Sequence, residues 1–162
     1  MELDQAYWHS RWVESNTPWD MGNACPALTN YLNQLTDKGL RILIPGAGGA
    51  HEAVWLWENG FRNFVVLDWS EKAFEGLLSK LPQLAEKHIA VADFFEYEGE
   101  FDVVMEQTFF CALPPAKREA YVEKMHELIV AGGTLAGLLF DIPLDQGPPF
   151  GGDIERYHGL FS

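Results

Sequence analysis

The stretch Arg41-Ile42-Leu43-Ile44-Pro45-Gly46-Ala47-Gly48-Gly49-Ala50-His51-Glu52 decides the fold: an apolar run breaks into glycines, and a helical pattern begins near Glu52. It predicts a strand, a tight turn and a helix. Glycine has no Cβ, so it adopts positive φ at little cost and lets the backbone approach a ligand. The helix that follows presents N–H groups with no intrahelical partner. About twenty residues on, Phe64-Val65-Val66-Leu67-Asp68 reads as a second buried strand ending in a carboxylate, a position from which an acid can accept hydrogen bonds from both hydroxyls of a ribose. Together the two pieces outline a nucleotide-class cofactor site.

On either side the pattern continues. Leu28, Tyr31, Leu32 and Leu35 give an amphipathic helix from Pro26 to Leu35, and Ala53, Val54, Leu56 and Trp57 give the core face of the helix after the glycines, which stops at Asn59-Gly60. Ser70 is the expected N-cap of a helix carrying Ala73, Phe74, Leu77 and Leu78, closed by Pro82. His88 to Ala92 and Phe101 to Glu106 read as strands three and four. Leu113-Pro114-Pro115 then opens a helix ended by Gly132-Gly133, and Thr134 to Ile142 follows as the fifth strand. Strands alternating with helices predict an α/β fold: a doubly wound, mostly parallel sheet with helices on both faces. Its ligand site lies at the C-terminal strand ends, where the glycine turn, Asp68, Asp93 and Glu106 converge.

With 162 residues, 48% of them hydrophobic, the chain suits one core. Lys and Arg number 11 against 24 Asp and Glu, a net charge of −13 with no basic cluster, so a nucleic-acid backbone would be repelled. The N-terminus lacks a basic region followed by an apolar one, and no run approaches a membrane span, which predicts a cytoplasmic protein acting on a small molecule. Cys25 and Cys111 are far apart and suggest neither a disulfide framework nor a metal site.

Trp8 and Trp12 fall on one helix face, and Trp19 follows in Thr17-Pro18-Trp19-Asp20-Met21-Gly22. These tryptophans either anchor an N-terminal helix on the core or form a lid over a flat or cationic ligand. A dinucleotide-binding dehydrogenase shares the glycine turn and the acid, but His51 stands at the third glycine position, where close helix packing needs Gly or Ala. Asp93, at the end of the third strand, suits an adenine amino group and hence a single-nucleoside cofactor.

Tyr7-Trp8-His9-Ser10-Arg11-Trp12, Thr17 to Gly22, Ile44-Pro45-Gly46-Ala47-Gly48-Gly49-Ala50-His51, Leu67-Asp68-Trp69-Ser70, Asp93-Phe94-Phe95, Phe109-Phe110-Cys111-Ala112-Leu113 and Gly147-Pro148-Pro149-Phe150 occur in that order over nearly the whole chain. In these motifs the chain resembles the thiopurine S-methyltransferase family, and within it the thiol and halide methyltransferase branch. The resemblance implies a Rossmann-like class I methyltransferase fold and S-adenosylmethionine as cofactor. It further implies that Trp8, Trp12 and Trp19 close over the cofactor and that Gly46, Ala47 and Gly48 face its methionine part. Asp68 would hold the ribose, and Asp93 with Phe94 the adenine; Trp69, Glu106 and Gln107 complete the implied cofactor-binding set. Glu106-Gln107 replaces the Asp-Tyr of the thiol and halide branch and the arginine of the thiopurine branch, so Glu106 either balances the cofactor's ammonium or is a solvated strand-end charge.

The implied reaction is methyl transfer to a thiol, a halide or an aromatic thiol, with a non-catalytic binding module as the alternative. It needs no catalytic triad, although His51 or His9 could help deprotonate a thiol. Phe109 and Phe110 are expected as acceptor wall, core, or one of each. The family continues beyond the Gly147 to Phe150 loop with a helix and an antiparallel strand pair. The expected organisation is therefore one methyltransferase domain over 1–162: an aromatic lid and helix over 1–36, a core sheet over 40–142, and a shortened C-terminal part over 143–162 whose last strands are missing. This leaves strand five as an exposed apolar edge suited to pairing with a second copy.

Overall fold

Alternate residues of the central strands point to opposite faces of one sheet, and each face has its own core. The computed structural model describes residues 2–162. The elements are α1 (Gln5–Val13), α2 (Pro26–Leu32), β1 (Ile42–Pro45), α3 (His51–Glu58), β2 (Phe64–Asp68), α4 (Glu75–Lys80), β3 (Ile89–Val91), β4 (Phe101–Glu106), α5 (Arg118–Leu128), β5 (Ile129–Gly137) and α6 (Ile154–Phe161). The strands lie in the order β3-β2-β1-β4-β5, all neighbours parallel. Ile42, Ile44, Phe64, Val66, Val103 and Met105 pack with Leu28 and Leu32 of α2, Leu56 of α3 and Leu77 of α4. Leu43, Leu67 and Val104 face the other way, onto Phe110 and onto Tyr121, Met125 and Leu128 of α5. Removing this apolar surface from water drives the layering. The result is the expected doubly wound sheet, and β1, between β2 and β4, is its switch point.

Strands β2 and β4 have the bounds their apolar runs predict. Helix α2 ends at Leu32 rather than Leu35, followed by turns from Tyr31 and Leu32 to Gln34 and Leu35. Strand β3 is shorter than expected: His88 belongs to the preceding 3₁₀ turn, where its buried ring bonds the Phe64 carbonyl at 2.7 Å. Ser70 holds the expected N-cap position, but its side chain makes no capping bond. Its hydroxyl pairs with His9 Nδ1 at 2.8 Å, and a 3₁₀ turn over Glu71–Phe74 leads into α4.

The largest correction is at the fifth strand. Helix α5 ends at Leu128, and β5 begins at once with Ile129 and stops at Gly137. Gly132 and Gly133 are therefore inside the strand. The register jumps between Phe101↔Ile129 and Val103↔Thr134, and the extra residues form a bulge. Gly132 takes φ +79°, and a Cβ on Gly133 would come within 2.9 Å of the Asp102 carbonyl, which explains both glycines. Leu138, Leu139, Phe140 and Ile142 lie beyond β5 as a partly exposed apolar segment, tied down by one antiparallel bridge from Ile142 to Gly152. Helix α6 falls where sequence periodicity assigned no element. Asp153 caps it by accepting from the Arg156 N–H at 2.9 Å, and Tyr157 and Leu160 pack on the α5 face. No helix among the described residues is long and apolar enough to cross a membrane.

Candidate functional site

The C-terminal ends of the parallel strands open into a cavity of about 700 Å³. Its floor is the turn after β1. Gly46 and Gly48 take φ +57° and +53°, a conformation that resists any residue with a Cβ. At Gly46 a Cβ would fall inside the Phe109 ring edge, and at Gly48 it would lie 3.1 Å from the Trp12 indole. The turn is thus pressed between an aromatic ring from the loop after β4 and another from α1.

Asp68, at the end of β2, locks this turn. Its Oδ2 accepts from the Gly48 N–H at 2.9 Å and its Oδ1 from the Ser70 N–H at 3.0 Å. Burial pushes its carboxyl above the ordinary aspartate value, opposed by the N–H groups of Ser70, Gly48 and Trp69. Each oxygen keeps further lone-pair capacity for a ligand hydroxyl. Beyond β3, Asp93 Oδ1 accepts from the Phe95 N–H at 2.8 Å, which sets the loop that brings Phe94 and Phe95 to the cavity.

Helix α1 forms the roof. Asp4 caps it, Gln5 donates to the Trp69 carbonyl at 3.0 Å, and His9 pairs with Ser70, so the helix is hooked to the segment just after β2. Trp19 meets Trp8 and Trp12 edge to face, with centroids at 5.5 and 6.2 Å. The remaining wall is Phe109, Cys111, Ala112, Leu113, Phe140 and Gly147 to Pro149. Burial, reinforced by the nearby Glu106 carboxylate, pushes the Cys111 thiol up to about 12, so it stays protonated.

Over residues 3–162 the chain matches the family model described as Thiopurine S-methyltransferase. The chain belongs to the thiopurine S-methyltransferase family. As a member, it is an S-adenosylmethionine-dependent methyltransferase. Among curated relatives, probable thiol methyltransferase 2 of Arabidopsis thaliana is 32% identical over 93% of this chain and 69% of its own. Thiocyanate methyltransferase 1 of Brassica oleracea is 30% identical over 98% and 72%. Thiopurine S-methyltransferase of Photobacterium profundum is 27% identical over 99% and 83%. Among solved structures, a DhpI–SAH complex superimposes with a TM-score of 0.71 at 19% identity, over 98% of this chain and 85% of that one, a likeness of fold. Family membership sets aside the dehydrogenase reading.

Of the residues singled out from sequence, Trp8, Trp12, Trp19, Gly46, Gly48, Asp68, Trp69, Asp93, Phe94 and Gln107 all line the one cavity. Two do not. Ala47 faces a smaller cleft behind the turn and packs toward the core beneath β1. Glu106 is only 1% exposed and does not line the cavity. Its carboxylate accepts from Tyr121 Oη at 3.0 Å and from the N–H groups of Phe109 and Phe110 at 3.2 and 3.4 Å. It is therefore not a solvated strand-end charge, and it organises the loop that follows. Burial pushes it up to about 7 despite these three donors.

Phe110 is 1% exposed and belongs to the core, whereas half-buried Phe109 faces the cavity. His51 is neither free nor glycine-like: its Nε2 lies 2.6 Å from Asp20 Oδ1, tying the Trp19 loop to the start of α3. Sequence reasoning gave no role to Arg11, Thr108 or Phe140, all of which line the cavity. Arg11 is embedded in the tryptophan motif, and Phe140 was hidden by the misplaced end of the fifth strand.

Proposed function

We propose that this enzyme methylates a small soft nucleophile, a thiol or a halide, with an aromatic thiol as a further acceptor. The observation that carries the reading is the pairing of a tryptophan roof with an apolar aromatic wall on one cavity at the switch point. The residues fit S-adenosylmethionine: two glycines leave the turn without Cβ atoms, and Asp68 keeps lone pairs free beside them. In this reading Trp8, Trp12 and Trp19 cover the cofactor, with their ring faces suited to a positive sulfur. Gly46 and Gly48 take the methionine part, Asp68 the ribose, and Asp93 with Phe94 the adenine. When bound, the cofactor supplies an electrophilic methyl group on a sulfonium.

The chain's own contribution is position and dryness. Tryptophans above and Phe109, Leu113 and Pro148 opposite exclude water, so the attraction between an anionic acceptor and a cationic donor is little screened. No histidine is among the residues lining the cavity, so in this reading none is placed to take a proton from the acceptor. A thiol acceptor therefore enters as its thiolate. Cys111 lines the same cavity, but its raised pKa keeps it from competing as a nucleophile. Purified protein supplied with S-adenosylmethionine and, in turn, hydrosulfide, iodide and small thiols is expected to release volatile methylated products. Cofactor binding by calorimetry with no product from any of these would instead indicate a binding module.

The apolar segment past β5 supports a second part of the proposal, self-association through that sheet edge. Leu138, Leu139, Phe140 and Ile142 are each about 40% exposed beside β5, which has no outer neighbour among the described residues. Sedimentation is expected to give a dimer at micromolar concentration, and a persistent monomer would exclude it.

A further inference from the structure

Arg41 pairs with Asp102 and Glu100, Arg62 donates to the carbonyls of Trp57 and Phe61, Arg118 to those of Phe150 and Gly151, and Arg156 pairs with Asp153. Arg11 has no such partner. Among the described residues its side chain makes no hydrogen bond or ion pair, and its Nε is buried and unsatisfied. Arg62 and Arg118 also lack a carboxylate but are satisfied by backbone carbonyls, so an arginine with no acceptor of either kind is informative. Its guanidinium is instead held against the rings of Tyr7 and Trp19, 5.8 Å from each centroid, and lines the cavity. Aromatic contacts hold the group in place without neutralising it.

The acids nearest in kind are already engaged. Asp68 accepts two backbone N–H bonds and Asp93 one, and neither reaches Arg11. A cavity that takes a sulfonium therefore already contains a second cation, and the two repel in apolar surroundings. An anion entering between them removes that conflict.

We propose that Arg11 is the anion-binding residue of the cavity, recognising the negative charge of the methyl acceptor, a small thiolate or halide-class anion. This rests on the reading of the cavity as a methyl-transfer site. The guanidinium is weakly hydrated and carries a diffuse charge, which matches soft, polarisable anions better than an ammonium would. It holds the anion in the ground state and so acts chiefly on acceptor affinity. A methylated acceptor has lost its charge and with it the hold of Arg11, which favours departure of the product.

Wild type, Arg11→Lys and Arg11→Gln, each saturated with S-adenosylhomocysteine, are titrated with sodium iodide at constant ionic strength. Wild type is expected to bind iodide, Arg11→Lys to stay within about threefold of it, and Arg11→Gln to bind at least tenfold more weakly. The S-adenosylhomocysteine Kd is expected to stay within threefold throughout. Iodide binding unchanged in Arg11→Gln, or equally lost in Arg11→Lys, overturns the proposal. So does a tenfold loss of S-adenosylhomocysteine affinity with iodide binding intact, since the guanidinium would then serve the cofactor's carboxylate. Failure of wild type to bind S-adenosylhomocysteine at all overturns the methyl-transfer reading instead, and iodide titration without it still tests Arg11. Should Arg11→Gln not fold, wild-type crystals soaked in iodide decide: an anomalous peak against the Arg11 guanidinium supports the assignment, and an adventitious ion only, seated elsewhere, overturns it.

Discussion

Asp68 and Phe140 face the same cavity and are held there in opposite ways. Asp68 closes a five-residue strand in the middle of the sheet, and its carboxylate is fixed by N–H groups on both sides. Phe140 sits past the end of an edge strand, 40% exposed, in a segment whose nearest restraint is the 2.6 Å bond from Tyr157 Oη to its own carbonyl. The strand-end half, with Gly46, Gly48, Asp68 and Asp93, presents directed hydrogen-bonding groups. The loop half, with Phe109, Leu113, Phe140 and Pro148, presents shape. In the proposed reading the first half serves the invariant cofactor, and the second shapes the space around the acceptor.

The severest test of this division is Asp68→Ala. It removes charge-assisted acceptors for the ligand and for the turn, and is expected to weaken S-adenosylmethionine binding by about 3 kcal/mol. Calorimetry on the folded variant reads this directly, and unchanged affinity would remove Asp68 from the ribose role. Glu106 probes the joint between the halves. Its carboxyl lies at about 7 in the fold against an ordinary value of 4.5, so the folded protein binds that proton more tightly. Its stabilising contribution is complete below pH 4.5 and is lost as pH rises through 7. Thermal melts from pH 5 to 8 should show wild type losing on the order of 2 kcal/mol relative to Glu106→Gln, which has no proton to release. Parallel curves would place the Glu106 proton elsewhere. The mildest change is Phe140→Ala. Because the ring is partly exposed, stability should shift by under about 0.5 kcal/mol. Acceptor KM should move several-fold while S-adenosylmethionine Kd stays fixed; a change in both would merge the two halves.

The same division decided what could be read without coordinates. Asp93 follows the partly exposed edge strand β3, whose start was misplaced. Asp68 and the glycine turn, by contrast, stand at the ends of short apolar runs that are buried on both faces, which leaves little choice of start and end. Glu106 also ends such a run, yet its role depends on Tyr121, fifteen positions later on a helix that packs across it, and no local pattern carries that contact. The fifth strand was displaced because a glycine pair is read as a helix stop, and here it serves a bulge. Arg11 was invisible for a different reason: its significance lies in the partner it lacks.

Helix α1 has no fully buried residue, and it is joined to the chain after β2 by the Gln5 and His9 bonds and by its aromatic contacts. In hydrogen-exchange terms it is expected among the less protected parts of the molecule, and β1 and β4 at the sheet centre are expected to exchange only on global unfolding. If α1 covers the bound cofactor as proposed, the route into and out of the cavity would depend on a local opening rather than on the stability of the core. Solvent additives that leave the melting temperature unchanged can still alter how fast the cofactor is exchanged.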